Sequence, residues 1–276
     1  MTLREKIRRI RLLRNVYGFF RFLQFRHQLK LANREFANSE QGKANDGIPL
    51  PPPMLRYRVH RALDASSFVE IGRETSDDLV SVLKATDKKP GEFSSVLDFA
   101  CGCGRVLRHL HLHLTGASIR ASDIDSEAIG WCQKNLSNIA DFSLNDAMPP
   151  TQFDDNQFDL IYVVSLFTHL DEAAQFAWLN ELKRILMPGG ILVASIHGDS
   201  CTDACRPEEL QTLKQTGFVY RIDHTGKLKL DGLPDTYQTT FHTREYVLDN
   251  WGKIMPVENY LERGINNHQD AVIMTK

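Results

Sequence analysis

Apolar residues change their spacing along this 276-residue chain, and the changes mark out its elements. Over residues 1–37 they recur at three- and four-residue steps: Leu3, Ile7, Ile10, Leu13, Tyr17 and Phe20. Phe19, Phe22, Leu23 and Phe25 widen the stripe and Gly18 can bend it, so the period predicts an amphipathic helix. Residues 38–53 hold Ser39, Gly42, Asn45, Asp46 and Gly47, then Pro49, Pro51, Pro52 and Pro53, and read as a stiff linker. A second helical stretch lies near Ser76–Leu83. The body then alternates. Short apolar runs at 94–99, 118–123, 140–144, 158–165 and 190–197 predict buried strands, and helical spacing over 105–114, 126–135 and 171–186 predicts the helices between them. That alternation implies a doubly wound α/β fold, a parallel sheet covered on both faces. The tail differs: a helix over Thr243–Gly252, strands at Val257–Arg263 and Ala271–Lys276, and a turn at Gly264–Asn267 make a hairpin whose last strand is antiparallel. Residues 198–242 are longer than a strand–helix connection needs, with a helix candidate at Pro207–Gln215 and strand-like runs at Phe218–Ile222 and Lys227–Leu230. Ligands bind at the carboxyl ends of such strands, so this insertion reads as a substrate-specificity cover.

The chain is organised around Ser95–Val96–Leu97–Asp98–Phe99–Ala100–Cys101–Gly102–Cys103–Gly104–Arg105. It is a strand, a tight loop of small residues and the start of a helix, with glycines that let a ligand approach the backbone. G-x-G alone is weak. Asp98 at the strand end and Asp123, about 20 residues past the loop where a ribose-binding acid belongs, sharpen it. A nicotinamide-binding loop would want a third glycine near position 107, which is Leu107, and needs no acid at 98.

The run V-L-D-F-A-C-G-C-G-R resembles motif I of the class I S-adenosylmethionine (SAM)-dependent methyltransferases. Ser122–Asp123–Ile124–Asp125 is similar to their second acidic motif, and Leu144–Asn145–Asp146–Ala147 to the third. Phe158–Asp159–Leu160–Ile161–Tyr162 resembles their fourth strand, and Leu182–Gly190 the segment leading into the fifth. The resemblance covers roughly residues 55–276; Ala100 departs from it, since the family usually has glycine there. It implies a seven-stranded, mostly parallel Rossmann-like sheet with an antiparallel last strand and, here, an N-terminal helical extension. The domain boundaries that follow are 1–53 for the basic helix and linker and 54–276 for the methyltransferase domain, with 198–242 as its cover.

The resemblance also implies the cofactor, SAM with S-adenosylhomocysteine as product, and its binding set: Asp98, Ala100, Cys101, Gly102, Gly104, Asp123, Ile124, Asn145, Asp146, Ala147, Val164 and Arg58. Asp98 lies near the methionine amino group or orders the loop. Asp123 accepts from the ribose hydroxyls, and Asp146 from the adenine amino group with the Ala147 N–H nearby. Arg56 or Arg58 in the proline-then-arginine lead-in pairs with the methionine carboxylate or makes a surface salt bridge. For catalysis, positioning supplies much of the acceleration, and a base is needed only if the nucleophile arrives protonated. His169 after the fourth strand and His197 ending the fifth are the candidates, with His242 and His268 on the same edge. A metal site is not expected: His109 and His113 share a helix face without a third ligand, and Cys201-x-x-x-Cys205 is equally incomplete.

Composition changes the picture little: 42% hydrophobic and 25% charged residues suit a globular domain. Five cysteines without a framework point to free thiols and a cytoplasmic setting, and no secretory signal is read at the N-terminus. Charge changes it more. Residues 1–34 carry ten cations against the single acid Glu5, a net +9, so with the whole chain at −2 the rest carries −11. Such a basic helix with aromatics can rest on the inner membrane face as a peripheral contact, or pack on the body or a second subunit. The acidic body and the lack of base-flipping motifs argue against nucleic acid as substrate. The expected activity is methyl transfer to an oxygen or nitrogen of a small-molecule, sugar or lipid-linked acceptor. The alternative is a SAM-binding protein without turnover, acting as an interaction or membrane-docked partner. A space left open beside His169 and His197 would favour the enzyme.

Overall fold

The computed structural model describes residues 11–38, 44, 46–226 and 229–276, with side chains from Gly18 onward. The expected N-terminal helix is seen as α1 (Arg11–Asn38). Its residues 1–10, linker residues 39–43 and 45, and residues 227 and 228 of the run Lys227–Leu230 lie outside the described residues. No helix among the described residues is long and apolar enough to cross a membrane.

Proline does more than stiffen the linker. α2 (Pro53–His60) begins on Pro53, where a missing N–H costs nothing, and ends where Arg61 turns left-handed at φ 62°. α3 (Ala65–Leu83) starts well before Ser76, because Asp64 caps it by accepting from the Ser67 N–H. The body follows as β1 (Ser95–Phe99), α4 (Leu107–Leu110), β2 (Ser118–Asp123), α5 (Ser126–Asn135), β3 (Asp141–Leu144), β4 (Phe158–Val163), α6 (Glu172–Ile185) and β5 (Leu186–Ile196). α4 is shorter than the expected 105–114. Residues 101–106 are consumed by turns around the glycine loop, where the Gly104 N–H reaches the Cys101 carbonyl. The insertion contributes α7 (Pro207–Thr216), β6 (Phe218–Arg221) and β7 (Thr239–His242), and the tail α8 (Arg244–Asn250), β8 (Val257–Ile265) and β9 (Gln269–Thr275).

Among the described residues seven strands form one sheet in the order β3-β2-β1-β4-β5-β9-β8. The first five are mutually parallel and β9 runs antiparallel to both its neighbours. The two-residue period of β1 sends Val96 into the core layer with Leu107, Leu110 and Ile129, and Leu97 and Phe99 into the opposite layer with Trp178, Leu182 and Trp251. Each of these side chains contributes about 2 kcal/mol of burial. The same period puts Asp98 on the Val96 side, directly opposite Tyr162 of β4. β6 pairs antiparallel with β7, a strand absent from the sequence reading.

The insertion is fastened to the strand ends by main-chain bonds from the β7 segment. The N–H groups of Gln238, Thr240 and His242 donate to the carbonyls of His169 (3.0 Å), Thr168 (2.8 Å) and His197 (2.9 Å). That fastening carries residues 231–238 over the cavity described next.

Candidate active site

A cavity of about 650 Å³ opens at the carboxyl ends of β1, β2 and β4, between α2, α3 and the insertion. This is where an open α/β sheet binds its ligands. The glycine loop forms its floor. Gly102 sits at φ +56°, and a Cβ there would stand 2.4 Å from the Val59 side chain, so the loop and α2 approach as closely as backbone allows. Gly104, at φ +74°, serves packing instead: its Cβ would stand 2.6 Å from Leu136, and it does not line the cavity. Ala100 also adopts positive φ, 63°, the conformation for which glycine is suited.

Asp98 is buried in the cavity wall with Oδ2 lacking a hydrogen-bond partner. Burial pushes its carboxyl up to about 7; the adjacent Tyr162 hydroxyl opposes that, the Asp123 charge reinforces it, and Arg105 opposes it. Asp123, ending β2, accepts from the N–H groups of Gly102 (2.7 Å) and Asp125 (2.8 Å). Burial raises its pKa, and those two N–H bonds offset part of the rise. Asp125 caps α5 and receives Arg58 Nη1 at 2.8 Å. Arg58 also donates Nε to the Asp231 carbonyl at 3.0 Å, so it ties α2 to both α5 and the insertion across the mouth. Arg56 faces away: its guanidinium donates to the carbonyls of Leu63 and Pro51.

In the cavity wall, Arg105 is a guanidinium with unmade bonds. It is buried, lines the cavity and reaches Thr75 Oγ1 only at 3.5 Å, and its Nε has no partner. Burial lowers its pKa, with Asp98 acting against that. The sequence carried a signal for it, a charged residue directly after the glycine loop at the start of a buried helix. At the end of β3, Asn145 and Ala147 line the cavity while Asp146 is exposed beyond it, and Asn145 Oδ1 is buried without a partner. Cys101, Ile124 and Val164 complete the wall near the loop.

Of the two histidines, His169 lines the cavity and His197 does not; their rings lie 6.4 Å apart. His169 donates Nδ1–H to the Gln238 carbonyl and stacks on Tyr237 at 4.0 Å. That bond fixes the tautomer and leaves Nε2 as a lone pair. Burial brings its pKa down to about 3, the Gln238 carbonyl opposing, so the ring is neutral near pH 7. His197 donates to the Thr240 carbonyl at 3.1 Å and is lowered to about 4 by burial. Three further lining residues had no place in the sequence reading: Leu233 and Tyr237 from the insertion, and Gln269 from the C-terminal hairpin. Their contact with this site follows from long-range docking, which local pattern does not encode.

The family model described as a methyltransferase domain matches residues 96–190, the span from β1 to the start of the buried part of β5. Residues 96–190 thus match a methyltransferase domain, and the sheet around them has the Rossmann-like methyltransferase fold. It is 31% identical over 146 residues to a probable chloroplastic tocopherol O-methyltransferase of Oryza sativa, covering 49% of this chain and 38% of that one. It is 33% identical over 199 residues to the 2-methyl-6-phytyl-1,4-hydroquinone methyltransferase of Synechocystis, covering 65% and 60%. The chain thus spans less than two thirds of the length of these curated relatives. Among solved structures, the PH0226 protein of Pyrococcus horikoshii superposes with a TM-score of 0.52 at 17% identity, covering 79% of this chain and 97% of that one. An O-methyltransferase family protein of Burkholderia thailandensis gives 0.52 at 12% identity, covering 94% and 71%. At those identities the likeness is one of fold.

The family's cofactor fits the residues present. Two of the buried atoms without partners lie in the cavity wall on groups of opposite charge: a carboxylate oxygen of Asp98 for an ammonium, and the Nε of Arg105 for a carboxylate, as a methionine moiety would present. Asp123 stands at the wall with its charge already ordered by two N–H groups, ready to accept from hydroxyls. At the far end Asn145 Oδ1 is a buried acceptor without a partner, and Asp146 stands exposed beside it.

Proposed function

We propose that this chain is an enzyme that methylates an oxygen or nitrogen of a small-molecule acceptor, with SAM as donor, and that the acceptor is lipid-linked rather than a free sugar. The observation that carries the catalytic reading is His169, a neutral imidazole with a bare Nε2 on the wall of the same cavity as Asp98, Arg105 and Asp123. When bound, SAM supplies an electrophilic methyl group on a sulfonium. Asp98 and Arg105 hold the methionine end, and Asp123 and Asn145 the nucleoside end. Tyr237 and Leu233 from the insertion exclude water from the acceptor side. His169 Nε2 accepts the acceptor's proton, and the Gln238 carbonyl steadies the imidazolium that forms. A neutral base suits a site whose donor carries positive charge. His197 stands behind His169 and fixes the insertion instead of touching the cavity. The lipid-linked preference is supported by the two relatives, whose names specify tocopherol and a phytyl hydroquinone.

Calorimetric titration with S-adenosylhomocysteine tests the first half: binding is expected in wild type and lost in Asp123→Ala. Methyl-labelled SAM, offered with a phytyl hydroquinone, the hydroquinone lacking the chain, and free sugars, tests the second. Label on the phytyl compound that disappears in His169→Gln supports the reading. Label on sugars alone removes the lipid preference. Tight S-adenosylhomocysteine binding with transfer to none of them favours a SAM-binding protein without turnover.

A further inference from the structure

Among the described residues α1 meets the body along one stripe. Phe25 is buried against Tyr57 with ring centroids 4.5 Å apart, Arg56 lies over Phe36 at 5.6 Å, and Arg21 meets His224 Nε2 at 3.2 Å. The opposite side is covered by nothing among the described residues. It carries Phe19, Phe20, Leu23 and Leu31, which are 58%, 64%, 45% and 49% exposed. Arg26, Lys30 and Arg34 interleave with them, also exposed. At 3.6 residues per turn these seven fall within an arc of about 140°, roughly opposite the stripe of Phe22, Phe25, Leu29 and Phe36. The other exposed large apolar side chains among the described residues are Leu112, Leu144, Met148, Ile222 and Leu248. Water does not favour four such residues on one helix face unless something covers them.

We propose that this outward face of α1 docks on an anionic lipid surface. The charge decides among occupants. A second copy meeting the same patch through a two-fold axis would oppose Arg26, Lys30 and Arg34 to themselves. A nucleic acid would satisfy the cations and leave the aromatics in water. A bilayer interface with acidic headgroups takes both, apolar side chains at the acyl boundary and cations among the phosphates. The acidic body, at −11 beyond residue 34, is held off that surface while the basic helix lies on it.

Co-sedimentation of the full chain with vesicles tests the docking. Wild type is expected to pellet with vesicles rich in phosphatidylglycerol and to remain in solution with phosphatidylcholine alone. Phe20→Glu with Leu23→Glu is expected to lower the partition coefficient at least tenfold, while S-adenosylhomocysteine affinity and thermal unfolding stay at wild-type values. Wild type that stays in solution with both lipids overturns the proposal. So does a double variant that pellets as wild type does, or a wild-type dimer by analytical ultracentrifugation that the double variant converts to monomer. Loss of S-adenosylhomocysteine binding with vesicle binding intact would count against the methyltransferase reading and leave the docking standing.

Discussion

Asp98 and Tyr162 stand opposite each other on β1 and β4, and their burial sets the ionisation of the cofactor cavity. With its carboxyl raised to about 7, Asp98 is only partly charged at neutral pH in the free protein. A bound ammonium needs the carboxylate. The sign follows: above about 7 Asp98 is ionised and binding is strongest, and below it binding must first remove a proton. S-adenosylhomocysteine affinity is expected to fall about tenfold between pH 8 and pH 6. Asp98→Asn should bind more weakly throughout and lose that dependence; a wild-type affinity that is flat across this range refutes the assignment. One residue further, Ala100 pays for its positive φ. An alanine held there costs about 1 kcal/mol relative to glycine. Ala100→Gly is expected to raise the urea midpoint by a stability gain of that size, with the m-value unchanged. No gain would mean that the loop relaxes around alanine.

Elements were legible in the sequence where one period ruled. β2 (Ser118–Asp123) and α5 (Ser126–Asn135) fall where the spacing put them, because each has one buried face and a clear boundary residue, Asp123 and the cap Asp125. β5 begins earlier than expected, at Leu186. Met187–Pro188–Gly189–Gly190 reads as a break, yet the strand absorbs it through a register shift between Phe158 and Leu160 of β4. β7 was missed because Thr239–Thr240–Phe241–His242 is a strand only by virtue of its partners, β6 and the loops after β4 and β5. The site divides in the same way. Asp98, Gly102 and Asp123 are local to strand ends, so sequence position told where they lie. That Arg105 lines the cavity while Arg56 faces away, that Asp146 is exposed beside Asn145, and that Tyr237 reaches the site depend on which way a side chain turns or on what docks from 70 residues away. Spacing carries no such information.

At the scale of the molecule, the insertion and the sheet are joined through imidazoles kept neutral. His169, His197 and His242 flank the three main-chain bonds that fasten β7, and burial lowers all three, His242 to about 3. His242 is the most enclosed. Its Nε2–H donates to Gln175 Oε1 at 2.9 Å, and its Nδ1 is buried without a partner, so a second proton would have nowhere to point. A folded pKa below the unfolded value of about 6.5 means that the unfolded chain binds protons first as pH falls. The stabilisation is therefore complete above about 6.5 and drains away as pH drops towards the folded value. For His242 alone this amounts to about 2 kcal/mol between pH 7 and pH 5. Asp98 works in the opposite sense over the same interval, since its raised pKa makes the folded state the better proton acceptor there. The whole-chain slope mixes both, and a single variant separates them. His242→Gln keeps an amide donor for Gln175 and cannot titrate. Its urea-unfolding free energy should lose about 2 kcal/mol less than wild type between pH 7 and pH 5. Equal losses would show that His242 is solvated in the folded state, and that the fastening of the cover is indifferent to acid.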